Sequence, residues 1–329
     1  MRLAPLASSV TRLLQRRPGP LGPLAGLAAV YGLFALIGPE SFTSMRTLET
    51  MARQTAIVGT AALGMTLVII AGGIDLSAGS VIALSTVVVA ALLQAGAGPA
   101  AAAAGGVAAG TLCGLANGLL ISRLRMVPFI VTLGTLLVVR GLAKGLAHEQ
   151  KIDAPLTWLI DLLSALRPDQ GWLLVPPGVW LMVVAGLAVG GLLGYTRLGR
   201  HLFAVGSNEA NARLCGVAVE RVKLTVYALS GGFAGLAGVL QFSRLTVGDP
   251  TVAMGLELDV IASVVIGGGS LAGGEGSVLG SLIGALIMTI IRAGCSQMGL
   301  PNWVQEIVTG GIIVLAVTID RARHHRQGA

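Results

Sequence analysis

The sequence predicts an all-α polytopic membrane protein, and three observations carry that prediction. First, 54% of the 329 residues are hydrophobic and only 11% are charged, against the roughly 25% charge that wets a soluble domain; mean hydropathy is +0.84. Second, the apolar residues fall into ten stretches near the ~20 residues that a helix needs to cross a bilayer. Third, Lys and Arg are distributed unevenly between the connections. Together these exclude a water-soluble enzyme and a disordered scaffold. The 48 glycines follow no Gly-X-Y period, which excludes collagen and fits closely packed membrane helices.

The predicted spans are about 21–38, 54–72, 80–95, 100–121, 127–146, 173–194, 223–243, 256–269, 276–292 and 303–320. Two, 80–95 and 256–269, are short and glycine-interrupted, as broken helices are where protein shields the backbone. With the N-terminus inside, the cytoplasmic pieces hold 14 of the 22 basic residues: Arg2, Arg12, Arg16, Arg17, Arg123, Arg125, Arg197, Arg200, Arg213, Arg221, Lys223, Arg321, Arg323 and Arg326. Positive residues stay inside, so both termini are expected in the cytoplasm, which an even number of crossings satisfies. The organisation is a cytoplasmic tail (1–20), a membrane domain (21–320) and a second tail (321–329). Arg16-Arg17 precede an apolar run that ends in Ile37-Gly38-Pro39-Glu40 without a small-x-small cleavage site; the run is read as an uncleaved first span. Trp172, Trp180, Tyr195 and Trp303 stand at span ends, where amphipathic rings sit among headgroups.

Glycines recur every four residues at Gly106, Gly110, Gly114 and Gly118, at Gly186, Gly190 and Gly194, and at Gly276, Gly280 and Gly284, with a further pair at Gly231 and Gly235. Such stripes let helix backbones approach. Cys113, Cys215 and Cys295 have no metal-ligand spacing and are read as small packing residues. The segment 68–81 (VIIAGGIDLSAGSV) resembles 264–278 (VVIGGGSLAGGEGSV): an apolar run, a glycine cluster, one acid, then Gly-Ser-Val. Taken as copies running in opposite directions, they suggest the inverted repeat of a transporter that rocks about hinges. The hinge candidates are Gly72, Gly73 and Asp75 in one copy and Gly267, Gly268, Gly269 and Glu275 in the other. Asp75 and Glu275, near span ends, are read mainly as caps or hinges.

Polar residues at midplane depth are mostly neutral: Asn117, Thr132, Thr135, Ser230, Gln241, Ser263 and Ser281. Hydroxyls and amides suit an uncharged polyhydroxyl solute, although Ser and Thr also bond their own helix carbonyls. No lysine completes a phosphate-binding G-x-x-x-x-G-K-[ST] loop, so the chain is not itself a P-loop ATPase. No histidine pair has metal spacing; no metal site and no catalytic residue are expected, nor is a nucleic-acid partner. The longest inner connection, 195–222, is charged and glycine-punctuated; in it Asn208 is placed to cap a short helix over 209–214.

Four runs, 64–84, 117–143, 203–217 and 258–287, together resemble the permease subunits of bacterial ATP-binding cassette importers for monosaccharides, the ribose, xylose and arabinose type in particular, over about residues 50–320. The resemblance implies two permease subunits, usually identical, in the plasma (inner) membrane, beneath a periplasmic or lipid-anchored sugar-binding protein. A separate cytosolic ATPase would bind ATP and Mg, leaving this chain without a cofactor. It implies that Gly206, Asn208, Glu209, Ala210, Ala212 and Gly216 form the segment coupled to the ATPase; Asn211 departs from the expected pattern there. Asn117, Phe129, Thr132, Thr135 and Gln241 are the candidate solute path. The alternatives are an importer permease for branched-chain amino acids or another small solute, and an ion-coupled secondary sugar transporter.

Overall fold

The structure, a computed structural model, describes residues 21–166 and 173–327. The tail 1–20 with its four arginines, Arg167 and Trp172 lie outside the described residues. Ten apolar helices match the ten expected spans in order: α1 (Leu21–Ile37), α2 (Met45–Ile70), α3 (Ala78–Gln94), α4 (Pro99–Arg123), α5 (Pro128–Leu146), α6 (Pro177–Tyr195), α9 (Val219–Leu245), α10 (Leu256–Ile266), α11 (Val278–Gln297) and α12 (Asn302–Gln327). Between α6 and α9 lie α7 (Arg197–Ser207) and α8 (Glu209–Leu214). Six of these helices are long and apolar enough to cross a membrane alone; α1, α3, α10 and the apolar part of α12 (Asn302–Leu315) are shorter.

Local chemistry sets the boundaries. Helices α4, α5 and α6 start on Pro99, Pro128 and Pro177, where a missing N–H costs nothing. Helix α2 starts nine residues before its apolar run because Ser44 caps it, accepting from Thr47 N at 3.3 Å. Ser277 caps α11 in the same way. Helix α12 runs on through most of the region expected as a C-terminal tail.

The glycine stripes explain the tightest crossing. A methyl added at Gly110 would stand 2.4 Å from Gly231 O, and one at Gly114 would stand 2.1 Å from Tyr227 O. Helices α4 and α9 therefore touch backbone to backbone. Gly280 and Gly284 press likewise on Gly267 and Ser263 of α10. Of the remaining stripe, Gly186 meets Leu282, whereas nothing lies within 4 Å of Gly190 or Gly194; those two face outward and do not pack within the chain. Cys295 is buried and Cys113 half-buried, but Cys215 is exposed at the end of α8 and packs nothing.

An inverted repeat organises the bundle, though its halves differ from the pair expected. Helices α2–α5 and α9–α12 share one neighbour pattern: α4 lies on α9 as α11 lies on α2, α3 on α4 as α10 on α11, and α5 on α3 as α12 on α10. Helices α2 and α9, the equivalent first members, run antiparallel at the centre. The connection 71–77 thus corresponds to 246–255, not to 267–277. In both, an aspartate accepts from the residue two places on: Asp75 Oδ1 from Ser77 N and Oγ at 3.0 and 2.6 Å, and Asp249 Oδ1 from Thr251 N and Oγ1 at 2.8 and 2.6 Å. The two glycine clusters likened in the sequence lie on one face in contact, Gly274 N donating to Ile70 O at 2.9 Å. Six crossings separate them, so those two copies run the same way.

The short helices are the broken ones. A methyl at Gly79, in the first turn of α3, would stand 2.5 Å from Ala253 O and 2.1 Å from Glu257 Oε2 at the start of α10. Two short helices, of 17 and 11 residues, therefore meet N-terminus to N-terminus inside the bundle, where their positive ends favour the acids Glu257 and Asp259 in the first turn of α10. At the outer end, β1 (Ile152–Asp153) pairs antiparallel with β2 (Val247–Gly248), and Lys151 reaches Asp249 at 3.3 Å. This latches the segment just after α5 onto the second hinge.

Candidate functional site

The expected coupling segment is a helical hairpin. Thr196 caps α7, accepting from Gly199 N at 3.1 Å. Leu198, Leu202 and Val205 turn inward, while Arg197, Arg200 and His201 are exposed, so α7 lies along the bundle surface. Asn208 then caps α8, accepting from Asn211 N at 2.9 Å; Ala212 is buried and Ala210 exposed. Gly216, at φ +82°, ends α8 in the left-handed conformation, with Val217 N bonded to Ala212 O at 3.0 Å, the usual use of glycine after a helix.

Glu209 faces back to its own chain. Its Oε2 receives Lys223 Nζ at 2.6 Å and its Oε1 receives Arg213 Nη2 at 3.4 Å; Arg213 also reaches Glu220. The Lys223 ammonium, donating to Glu209, holds its carboxyl below the usual carboxylate range; partial burial opposes this and Arg213 adds to it. A lowered folded-state pKa stabilises docking above the ordinary Glu range, and that gain fades as pH falls through the lowered value. The protection factors of the α8 amides, the intrinsic pH dependence of exchange divided out, should therefore be unchanged between neutrality and about pH 5 and fall only on stronger acidification; lost protection already at mild acidity would contradict this pairing.

Gly206 joins this hairpin to the bundle. A methyl there would stand 1.7 Å from Ile70 O and 2.6 Å from Gly274 N, two atoms already bonded to each other. One added at Gly273, at φ +88°, would stand 2.7 Å from Gly206 O and 2.9 Å from Gly72 Cα. The end of α7, the 71–77 hinge after α2 and the 267–277 connection after α10 thus meet through bare backbone. Each half of the repeat contributes one partner. Gly267 and Gly73 are closed in by Gly280 backbone and the Tyr227 hydroxyl respectively, Gly269 abuts Val264, and Gly268 holds φ +93°. Glu275 is exposed.

Asp75 is 2% exposed and is fully engaged: besides Ser77, Ser230 Oγ of α9 donates to its Oδ2 at 3.1 Å. Asn117 Nδ2 donates to Ser77 Oγ at 3.0 Å, and Thr135 Oγ1 donates to Asn117 Oδ1 at 2.6 Å. Thr132 Oγ1 reaches Ile74 O at 3.2 Å. The structure therefore brings Asn117, Thr132 and Thr135 together, but around the hinge, with these bonds made inside the protein. Phe129 stands apart, about half exposed on the outer face of α5.

Gln241 belongs to a different place, a cavity of about 510 Å³ at the outer ends of α2, α9, α10, α11 and α12. Its lining mixes polar side chains, among them Gln54, Asp259, Thr289 and Ser296 and the arginines Arg46, Arg244 and Arg292, with apolar ones such as Ile57, Leu256 and Met288. The repeat relates it to an inner cavity of about 300 Å³ bordered by the end of α2, the start of α9, Ile121 of α4, Pro128 of α5 and residues 205–209. Asp259 and Glu257 lie outside the glycine clusters that hold the sequence's candidate acids; the signal for them is a pair of acids opening a short apolar span.

A helical membrane bundle with an inverted repeat, two short helices meeting at its centre and a surface hairpin gripping both halves is the architecture of a transporter. The chain belongs to the family described as branched-chain amino acid transport system / permease component, which it matches over residues 47–317, and it is accordingly a multi-pass membrane protein. The ribose import permease protein RbsC of Escherichia coli (strain K12) is 37% identical over 300 residues, 91% of this chain and 93% of the relative. RbsC of Bacillus subtilis (strain 168) is 39% identical over 304 residues, 92% and 93% of the two chains. The L-arabinose ABC transporter permease protein AraH of Azospirillum brasilense is 36% identical over 300 residues, 91% and 87%. No solved structure matches the chain.

Proposed function

We propose that this chain is the membrane-spanning subunit of an ATP-driven importer that carries a monosaccharide inward across the bacterial plasma membrane. Relatives named for ribose, arabinose and allose, similar along about nine-tenths of the chain, support the sugar over the amino acid of the family description. The chain is a transporter subunit without catalytic residues of its own. ATP and Mg bind a separate cytosolic ATPase, a binding protein delivers the sugar outside, and a second copy completes the membrane unit.

The observation that carries the mechanism is the Gly206 junction. Closure of the ATPase pushes the 197–214 hairpin, and the hairpin moves the 71–77 and 267–277 connections together. These end α2 and α10, one from each half of the repeat, so a single push rocks the halves against each other. The Asp75 network keeps the first hinge rigid enough to transmit the push. The test is uptake by proteoliposomes holding permease, ATPase and binding protein. Uptake that persists when an uncoupler collapses the proton gradient at constant ATP supports this reading; collapse of uptake with it favours the ion-coupled alternative.

Charge reversal at Glu209 separates coupling from folding. Arginine there sets three cations together with Lys223 and Arg213 and should detach α8, so that insertion persists while uptake falls at least about tenfold with the ATPase still active. Glu209→Gln, which keeps the shape, should lose much less. Normal uptake by Glu209→Arg removes this residue from the coupling device.

A further inference from the structure

Two charges of opposite sign stand partly exposed in the middle of the membrane domain. Arg140 is the thirteenth of the 19 residues of α5. At 1.5 Å per residue it lies about 18 Å from the inner end of that helix and about 9 Å from the outer one. Glu257 stands in the first turn of the 11-residue α10, about 14 Å from the end that leads to the 267–277 connection. A methyl added at Gly79, where α3 starts, would abut its Oε2. Arg140 Nη1 donates to Pro250 O and Val252 O at 2.9 and 2.7 Å, and the guanidinium lies in the field of Glu257. Neither side chain is fully buried.

The pair shares a face with large apolar side chains. Leu133 and Leu137, seven and three residues before Arg140 and so on its side of α5, are 43% and 68% exposed, and Leu258, next to Glu257, is 46% exposed. Lipid would suit the leucines but not the pair, because charges inside a membrane face a bundle interior or a water-filled cavity. Water suits the pair and leaves the leucines as walls. The charges balance here, whereas three arginines face one acid in the outer cavity. An ion of either sign gains little from a balanced pair; a neutral polyhydroxyl can accept from the guanidinium and donate to the carboxylate. We propose that this face of α5 and α10 lines the aqueous path of the sugar, closed on its other side by the second copy, with Arg140 and Glu257 as the polar groups at mid-depth. Apolar walls around one polar pair let the solute enter without being held. The proposal rests on the sugar-importer reading and deepens it.

The experiment uses the complete importer in proteoliposomes, with Cys113→Ala, Cys215→Ala and Cys295→Ala. To this background is added Leu137→Cys, Leu133→Cys as a second site on the face, or Leu187→Cys as the control; Leu187 is 72% exposed near the middle of α6. The probes are two small membrane-impermeant thiosulfonates, one cationic and one anionic. They are applied during ATP-driven uptake of whichever of D-ribose, L-arabinose and D-allose is carried best. The thiols at 133 and 137 should react at least about tenfold faster than the thiol at 187, and their reaction should block uptake. Glu257→Gln should lower the cationic-to-anionic ratio of reaction rates at 137 by at least about threefold, and Arg140→Gln should raise it; side chains that only brace the second hinge behind a dry wall would leave it unchanged. Unreactive thiols at 133 and 137 in an importer that pumps the sugar overturn the path and spare the function. Reaction that leaves uptake intact, or a ratio that neither substitution moves, also overturns it. An importer that carries none of the three sugars counts against the function itself.

Discussion

Leucine at position 114 should destabilise the membrane domain severely, whatever the state of its partners. Position 114 lies where α4 crosses α9, and even a methyl group there would stand 2.1 Å from Tyr227 O and 3.0 Å from Gly231 Cα. The neighbours are backbone, which cannot swing aside as a side chain can. The helices must separate, and the contacts at Gly110, Gly118, Gly231 and Gly235 go with them. In lipid no hydrophobic push between helices compensates for lost dispersion contact. Overpacking in a well-packed core costs about 1–3 kcal/mol, occasionally more, and this site belongs at the upper end, where the folded-to-unfolded ratio falls roughly a hundredfold. Gly190→Leu is the matched control, with nothing within 4 Å. Thermal unfolding of detergent-purified protein should show a large loss for the first and almost none for the second. Equal stability of the two would mean that the stripe on α4 holds nothing together.

The spans were legible because a continuous apolar run of about 20 residues in lipid satisfies its backbone as a helix, and each expected span has its helix. Helix α8 was legible to the residue, since Asn208 carries the cap in its side chain. Helix α7 was not, although Leu198, Leu202 and Val205 have the spacing of one face; the charges of Arg197, Arg200 and His201 hid it in a long inner loop. The repeat was found in the wrong pair of segments. Glycine clusters resemble each other wherever backbones must touch, and 71–77 and 267–277 are alike because both pack at the Gly206 junction. The true counterparts share only Asp-x-Ser at 75–77 and Asp-x-Thr at 249–251, a turn geometry that two letters conceal. Likewise, spacing placed Thr132 and Thr135 on one face but could not show that the 71–77 connection sits against it. The outer cavity joins side chains from five helices, some separated by more than 200 residues, which no local pattern reveals.

Valine at position 206 should abolish uptake while leaving the bundle folded. The added Cβ would stand 1.7 Å from Ile70 O and 2.6 Å from Gly274 N, the acceptor and donor of a backbone hydrogen bond that ties the end of α2 to the 267–277 connection. Relief requires the hairpin to lift away, because α7 is held only along its inward face whereas α2 is buried almost throughout. Once lifted, the ATPase pushes on an element that no longer bears on either half of the repeat. Uptake in the reconstituted importer should fall at least about tenfold with ATP hydrolysis retained, the pattern of a severed transmission and not of a lost binding step. Thermal unfolding should shift far less than for Gly114→Leu, because the junction lies at the inner edge of the bundle and the α4–α9 crossing is untouched. Gly216→Ala calibrates the result. It too is a glycine of the hairpin, but its Cβ would meet nothing, and its cost is the roughly 1 kcal/mol of a left-handed residue; uptake there should stay within a few-fold of normal. Should Gly206→Val import sugar normally, the hairpin does not drive the two halves through this contact, and the push must reach α2 and α10 by another route.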